Sequence, residues 1–312
     1  MLTKSPEKSE RRAKRVNVAI TANQLSAFSR LFSSAVFKEL ATKGRSAQFA
    51  RLIEQSQLLR VSRSLECVSD AFEEAFKTLK RGACRDEYIY KTALTHRILL
   101  GKHNLSTACM MTEFRVKDCK ADLVILNGTG TVFEIKSERD SLSRLTRQMD
   151  AYKRVFAKVF VIAGENHIDS VLDAVDSDVG VLRLSRKQYI STVREASDRA
   201  DRVCPAHIFD SIRVEEAKRL LAWAGHEIPV VPNTRLSGEL RKIFLKMEPE
   251  IVHRGMVETL KKTRNLMPLS DFVQSLPPSL QAAALTIPLK KADHPRLLGA
   301  LKTNLNEAMG WA

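Results

Sequence analysis

Asp122, Glu134 and Lys136 are the residues of this chain whose types and spacing could do chemistry. They lie in the stretch Lys120 to Tyr152, KADLVILNGTGTVFEIKSERDSLSRLTRQMDAY. Asp122 falls on one apolar, β-prone run and Glu134 and Lys136 on the next. Two carboxylates and an ammonium group brought to one sheet edge suit a divalent cation that cuts phosphodiester bonds. Burying such carboxylates without partners is costly. The other readings of the pattern are a buried salt bridge with Lys136, or a sheet edge protected by charge.

The elements that must position these residues form a hairpin. Ala121 to Asn127 and Thr131 to Lys136 flank Gly128-Thr129-Gly130, and a three-residue loop ending in glycine is a common hairpin connection. Pairing Asn127 with Thr131 sets Asp122 opposite Lys136 and Val124 opposite Glu134. Side chains alternate along a strand, so Asp122, Glu134 and Lys136 emerge on one face. Asp122 and Glu134 are then diagonal neighbours about 7–8 Å apart, a spacing that one ion can bridge. Leu123, Ile125, Phe133 and Ile135 point to the opposite face. A helix over about 141–157 follows, with Leu142, Leu145, Met149 and Phe156 inward and Asp140 as its cap. Gln148 and Tyr152 share one face of it at i and i+4.

On these residues the chain resembles the PD-(D/E)XK nuclease superfamily, whose pattern is an Asp on one strand and Glu-x-Lys on the next. Gln148-Met-Asp-Ala-Tyr152 fits the Gln-x-x-x-Tyr of the RecB-type branch. The string EIKSERDSLSRLTRQMDAY also resembles an uncharacterised set of bacterial and prophage proteins of this fold. The resemblance covers roughly Glu87 to Ser185, and no Pro precedes Asp122. It implies a restriction-endonuclease-like α/β fold, a mixed sheet flanked by helices. It implies that Asp122 and Glu134, with the Ile135 carbonyl, ligate Mg²⁺ or Mn²⁺. Lys136 would orient the attacking water or stabilise charge on the phosphate, and Gln148 and Tyr152 would contact the phosphate or support the site. Glu87 is the candidate for the extra glutamate that such nucleases carry on the preceding helix; its alternative is a surface pair with Lys91. Glu113 is a second acidic candidate beside the sheet. Arg139, Arg144, Arg147 and Lys153 can line a phosphate track, or form an ordinary solvated face.

Composition agrees with a polyanionic partner. The 312 residues carry a formal net charge of +15, which favours capture of nucleic acid. Aromatics make up only 6%, which speaks against extensive base-stacking platforms. Five scattered cysteines without a CxxC pair read as reduced thiols in a cytoplasmic protein. They also exclude the iron–sulfur cluster of some RecB-type nucleases, since only Cys204 lies downstream of the core. No histidine spacing suits zinc, and no signal peptide, membrane span or phosphate loop is visible.

Residues 1–16, with six basic and two acidic side chains, read as a disordered basic arm. Residues 17–80 are helical by period, with Leu25, Phe28, Phe32, Val36 and Leu40 on one stripe and Leu65, Val68, Phe72, Phe76 and Leu79 on another. The nuclease core is expected at 81–190: a helix over Tyr88–Leu100, a strand near Glu113–Val116, the hairpin, the Gln148 helix, and two further strands, Val159–Ala163 and Val179–Leu184, around a helix near His167–Val175. Residues 191–312 read as a helical accessory domain punctuated by prolines.

The function expected from this reading is metal-dependent cleavage of DNA, with RNA left open, in phage defence, mobile elements or repair. The alternatives are a non-catalytic nucleic-acid-binding regulator and a protein-interaction module. A homodimer or a protein partner held through the helical ends is also left open.

Overall fold

The computed structural model describes residues 20–61, 65–81, 84–103 and 105–312. The basic arm expected over 1–16 lies outside them. The chain is mixed α/β: a six-stranded sheet flanked by helices, with helical N- and C-terminal parts.

Five helices precede the core: α1 (Ala22–Leu31), α2 (Ser34–Lys43), α3 (Ala47–Ser56), α4 (Leu58–Val61) and α5 (Val68–Leu79). Side chains of Thr21, Ser33 and Ser46 cap the first three by accepting backbone N–H bonds, satisfying donors that a helix start leaves open. The stripe from Leu25 to Leu40 therefore spans two helices, broken by the cap Ser33. Phe28, Phe32, Val36 and Leu40 are buried, as are Val68, Phe72, Phe76 and Leu79. Helix α6 (Glu87–Leu94) runs on into a π-helical turn, Thr95–Leu99.

The strands β1 (Cys109–Val116), β2 (Cys119–Asn127), β3 (Thr129–Lys136), β4 (Lys158–Gly164), β5 (Gly180–Leu184) and β6 (Ile190–Arg194) lie in sequence order. Strands β3, β4 and β5 are parallel neighbours and the other pairs are antiparallel. The crossovers are α7 (Leu145–Lys153) and α8 (Ile168–Ala174). Both pack on one face of the sheet, as successive crossovers of one hand require. Strand β6 was not expected, because the sequence after Tyr189 reads as helical. Its five residues are half-exposed at the sheet edge and show no clean alternation.

The remaining helices are α9 (Pro205–Ser211), α10 (Val214–Trp223), α11 (Asn233–Phe244), α12 (Pro249–Thr263), α13 (Ser270–Gln274), α14 (Pro278–Thr286), α15 (His294–Lys302) and α16 (Leu305–Met309). Pro205, Pro249 and Pro278 open helices, positions where the missing N–H is no loss. The sheet separates two cores. Leu123, Ile125, Phe133 and Ile135 pack with α1–α6 and α13–α16, while Val124, Val132 and Val161 pack with α7–α12. The stretch 191–312 thus divides between the two faces, and its last part joins the N-terminal helices. Backbone bonds from Val68 N–H to Thr303 O (3.1 Å) and from Leu305 N–H to Glu66 O (2.9 Å) fix that junction. Among the described residues no helix is long and apolar enough to cross a membrane. All five cysteines are free.

Candidate metal centre and its cleft

The β2–β3 ladder pairs Asn127 with Thr129 and Leu123 with Phe133. The register is two residues away from the expected one, and Asp122 stands level with Glu134, not Lys136. The chain reverses at Gly128, whose φ of +70° is the left-handed conformation a glycine adopts without strain. Gly130 is instead a strand residue under α12, where an added Cβ would lie 2.9 Å from His253 Nε2. Burial drives the His253 imidazole down to about 4, so it is neutral at pH 7 and can accept the Gly130 N–H at 3.3 Å. A two-residue slip preserves parity, so Asp122, Glu134 and Lys136 keep their common face.

Next along that level, β1 places Glu113 opposite Asp122, between the pairs Thr112–Leu123 and Phe114–Ala121. Glu113 has a φ of +54°, in the left-handed region that non-glycine residues rarely occupy. Both strands change phase at this level. Met111 and Val124 before it, and Phe114 and Ala121 beyond it, all belong to the same core. The local twist lets the Asp122 carboxylate accept the Ile135 N–H at 2.8 Å in place of a ladder bond. Ile135 thus meets Asp122 through its N–H.

Glu87, in the first turn of α6, completes an acidic trio. One carboxylate oxygen from each of Glu87, Glu113 and Asp122 lies within 4.8 Å of the others. Lys91 touches Glu87 and stands 3.8 Å from Glu113. The i,i+4 pair and the approach to Asp122 therefore both hold for Glu87. Burial, with the charges of Glu134 and Glu87 beside it, pushes the Asp122 carboxyl up to about 8.

Glu134 sits behind this trio and is 2% exposed. Lys136 Nζ donates to its Oε1 at 2.8 Å, and the Tyr152 hydroxyl lies 2.9 Å from its Oε2. An ion held between Asp122 and Glu134 alone is therefore not the arrangement the side chains form. The three converging oxygens come from Glu87, Glu113 and Asp122, while both Glu134 oxygens are engaged by neighbours.

Helix α7 supplies the remaining parts. Gln148 Oε1 accepts from Lys136 Nζ at 3.0 Å. Tyr152 is fully buried and also donates to the Lys120 carbonyl at 2.7 Å. Its side chain does not line the cleft. Burial and the nearby Glu134 charge push its hydroxyl well above the usual phenol range, so it stays a donor. The helix begins at Leu145, later than expected, with no side-chain cap. Asp140 instead accepts the Ser137 N–H and hydroxyl, both at 2.7 Å, and so shapes the exit from β3.

These residues open into one cleft of about 570 Å³, bounded by the β1–β2 hairpin on one side and by the start of α7 on the other. Arg144 and Arg147 line it. Arg139 and Lys153 do not. Arg139 bonds to the Cys84 carbonyl, and Lys153 is tied to Asp176 and Asp178. Arg115, Lys117 and Lys120 of the hairpin also line the cleft, and sequence reasoning missed them as contacts. A polar Lys117-Asp118 dipeptide between two β-prone runs was the available signal.

The sequence profile of the bacteriophage P4 protein cII family matches residues 80–270, which include the whole sheet and helices α6–α12. The chain belongs to this family. Protein cII of Enterobacteria phage P4 is 38% identical over 108 residues, which are 34% of this chain and 40% of that protein. The match spans less than half the length of that curated relative. A solved protein of unknown function from Silicibacter pomeroyi aligns with 39% of this chain and 85% of its own, at 21% identity and a TM-score of 0.27.

Proposed function

We propose that this protein is a metal-dependent nuclease of PD-(D/E)XK type that hydrolyses phosphodiester bonds in DNA. The observation that carries the reading is the meeting of Asp122, Glu134, Lys136 and Gln148 at one cleft with the acidic trio at its floor. Carboxylate oxygens from Glu87, Glu113 and Asp122 are the hard donors that Mg²⁺ or Mn²⁺ takes, so the residues present fit such an ion. When bound, it would polarise a phosphoryl oxygen and lower the pKa of its water.

The chain's own groups divide the remaining work. An ammonium group has three N–H donors. Two of those on Lys136 go to Glu134 and Gln148, which leaves the third for an incoming water or a phosphate oxygen. Tyr152 and Lys136 together fix Glu134, and Glu134 fixes Lys136 in turn. Arg144 and Arg147 draw the phosphate backbone to the cleft. Kinship with a bacteriophage protein supports a setting in phage or mobile-element DNA metabolism.

The full engagement of both Glu134 oxygens favours a second reading, a DNA-binding protein on this scaffold that does not cut. Incubation of the purified chain with plasmid and linear DNA in Mg²⁺, Mn²⁺ or EDTA separates the two. The nuclease reading predicts cation-dependent cutting that Asp122→Ala and Lys136→Ala each abolish while DNA binding survives. Binding without cutting in any cation would replace it with the second reading. No binding even at low salt would end both.

A further inference from the structure

The cleft has a second wall that the proposed chemistry does not use. Val116 pairs with Cys119, so β1 and β2 are joined by Lys117-Asp118 alone. This hairpin carries Arg115, Lys117 and Lys120 into the cleft, across from Arg144 and Arg147. All five side chains are exposed. Lys120 is paired with Glu113 at 3.3 Å. Among the described residues, Arg115, Lys117, Arg144 and Arg147 have no carboxylate within 4.0 Å. Lys153, at the C-terminal end of α7, is by contrast held between Asp176 and Asp178. Lys117 also occupies a left-handed backbone conformation, φ +51°, where glycine or asparagine would fit with less strain. A lysine there gains the hairpin nothing in stability and puts a cation on the lip of the cleft.

No aromatic side chain lines this cleft among the described residues. Proteins that grip single strands combine a basic groove with aromatic platforms on which bases stack. A duplex keeps its bases stacked internally and offers phosphates on two sides.

We propose that the β1–β2 hairpin is a DNA-binding finger. Arg115 and Lys117 hold phosphates of one strand and Arg144 and Arg147 those of the other, so the cleft selects double-stranded DNA. This inference rests on the nuclease reading only for the polymer that enters the cleft.

The test is a fluorescence-anisotropy titration of the full chain in EDTA, with a 20-base-pair DNA duplex, one of its single strands, and an RNA duplex of the same sequence. Four phosphate contacts predict that log K falls against log salt with a slope of about −3 to −4. Duplex DNA is expected to bind about tenfold more tightly than its single strand, a margin set by the two-sided phosphate contact; an RNA duplex also offers phosphates on two sides, so its binding reads the choice of polymer and not the finger. Arg115→Gln with Lys117→Gly is expected to lower the magnitude of that slope by about 2. Lys117→Gly alone relieves backbone strain, so its melting temperature holds or rises while DNA affinity falls; a purely structural lysine would not separate the two. An unchanged slope in the double variant, or equal binding of the single strand, would overturn the inference. Because the titration needs neither cation nor cleavage, duplex binding of this kind without cutting sinks the nuclease reading and leaves the finger standing. Cutting with an unimpaired hairpin variant does the reverse.

Discussion

Two clusters of charge, one buried and one open to the cleft, sit on either side of the exit from β3, and they are built differently. In one, Arg85 is 2% exposed and each nitrogen of its guanidinium is engaged. Nε donates to Glu138 Oε1 at 2.8 Å, and Nη1 donates to the carbonyls of Leu184 and Ser185 at 2.9 and 2.8 Å. Tyr90 donates to the other Glu138 oxygen at 3.0 Å, and the Arg85 guanidinium lies 5.4 Å from the Tyr90 ring centroid. In the other cluster, four carboxylates (Glu87, Glu113, Asp122, Glu134) meet three ammonium groups (Lys91, Lys120, Lys136). A pair with every nitrogen and both carboxylate oxygens engaged holds segments together. A cluster with one more carboxyl than ammonium group, in which Asp122 keeps its proton up to about pH 8, is a liability to the fold when that proton leaves and a capacity to bind a cation.

The contrast can be broken first at the matched pair. Arg85→Met leaves Glu138 buried with Tyr90 as its main partner, and loss of one member of a buried ion pair costs about 3–5 kcal/mol. Chemical denaturation should show this loss, and a second change, Glu138→Leu, should recover part of it. If Arg85→Met is as stable as the parent, the cluster is not the fastening described.

The surplus cluster should respond in the opposite sense. The Asp122 carboxyl is raised to about 8 in the folded chain, against about 3.9 in an unfolded one. The folded state therefore holds a proton that the unfolded state has released. The stability this contributes is complete below about pH 4 and is lost as pH rises through about 8. Asp122→Asn removes the penalty and is expected to stabilise the protein on the order of 1–3 kcal/mol at pH 8 and hardly at all at pH 4. Melting temperatures at the two pH values check this. The same proton must leave before a cation enters, so Mn²⁺ affinity is expected to rise about tenfold per pH unit up to about 8 and then level off. A flat profile would contradict the placement of Asp122 at the ion.

Smaller effects sharpen the comparison. Tyr152→Phe leaves Glu134 and the Lys120 carbonyl without their shared donor. It is expected to cost about 1–2 kcal/mol of stability, and to slow cutting about tenfold through misplacement of Glu134 and Lys136. Lys153→Gln, away from the cleft, is expected to cost about 1 kcal/mol or less and to leave DNA affinity unchanged in the anisotropy titration. Weakened DNA binding there would restore Lys153 to the phosphate track.

Much of the site was legible because side-chain parity has a period of two. The expected register was two residues out, yet Asp122, Glu134 and Lys136 still share a face, and Gln148 and Tyr152 meet them from α7. The error came from reading both glycines as turn residues. Only Gly128 needs its left-handed φ, while Gly130 is small because His253 packs on it. Glu113 was a candidate by its acidity and position alone, because its direction depends on an unusual backbone angle that no periodicity encodes. Asp140 resembled a helix cap, but the nearer Ser137 takes its oxygen. Strand β6 was missed because a short, half-exposed edge strand has no buried face to imprint a pattern. The division of the C-terminal helices between two cores depends on contacts far apart in sequence, such as Val68 with Thr303, which local patterns cannot carry.

On the proposed reading, Asp122, with Glu87 and Glu113 beside it, holds a divalent cation within reach of Lys136. A crystal of the full chain grown in millimolar Mn²⁺ at pH 8, with anomalous scattering recorded, tests it most directly. A Mn²⁺ peak ligated by Asp122 and at least one of the two glutamates is expected, and its loss in Asp122→Asn. A cleft floor with no peak at that concentration, or a peak that survives Asp122→Asn, would contradict it.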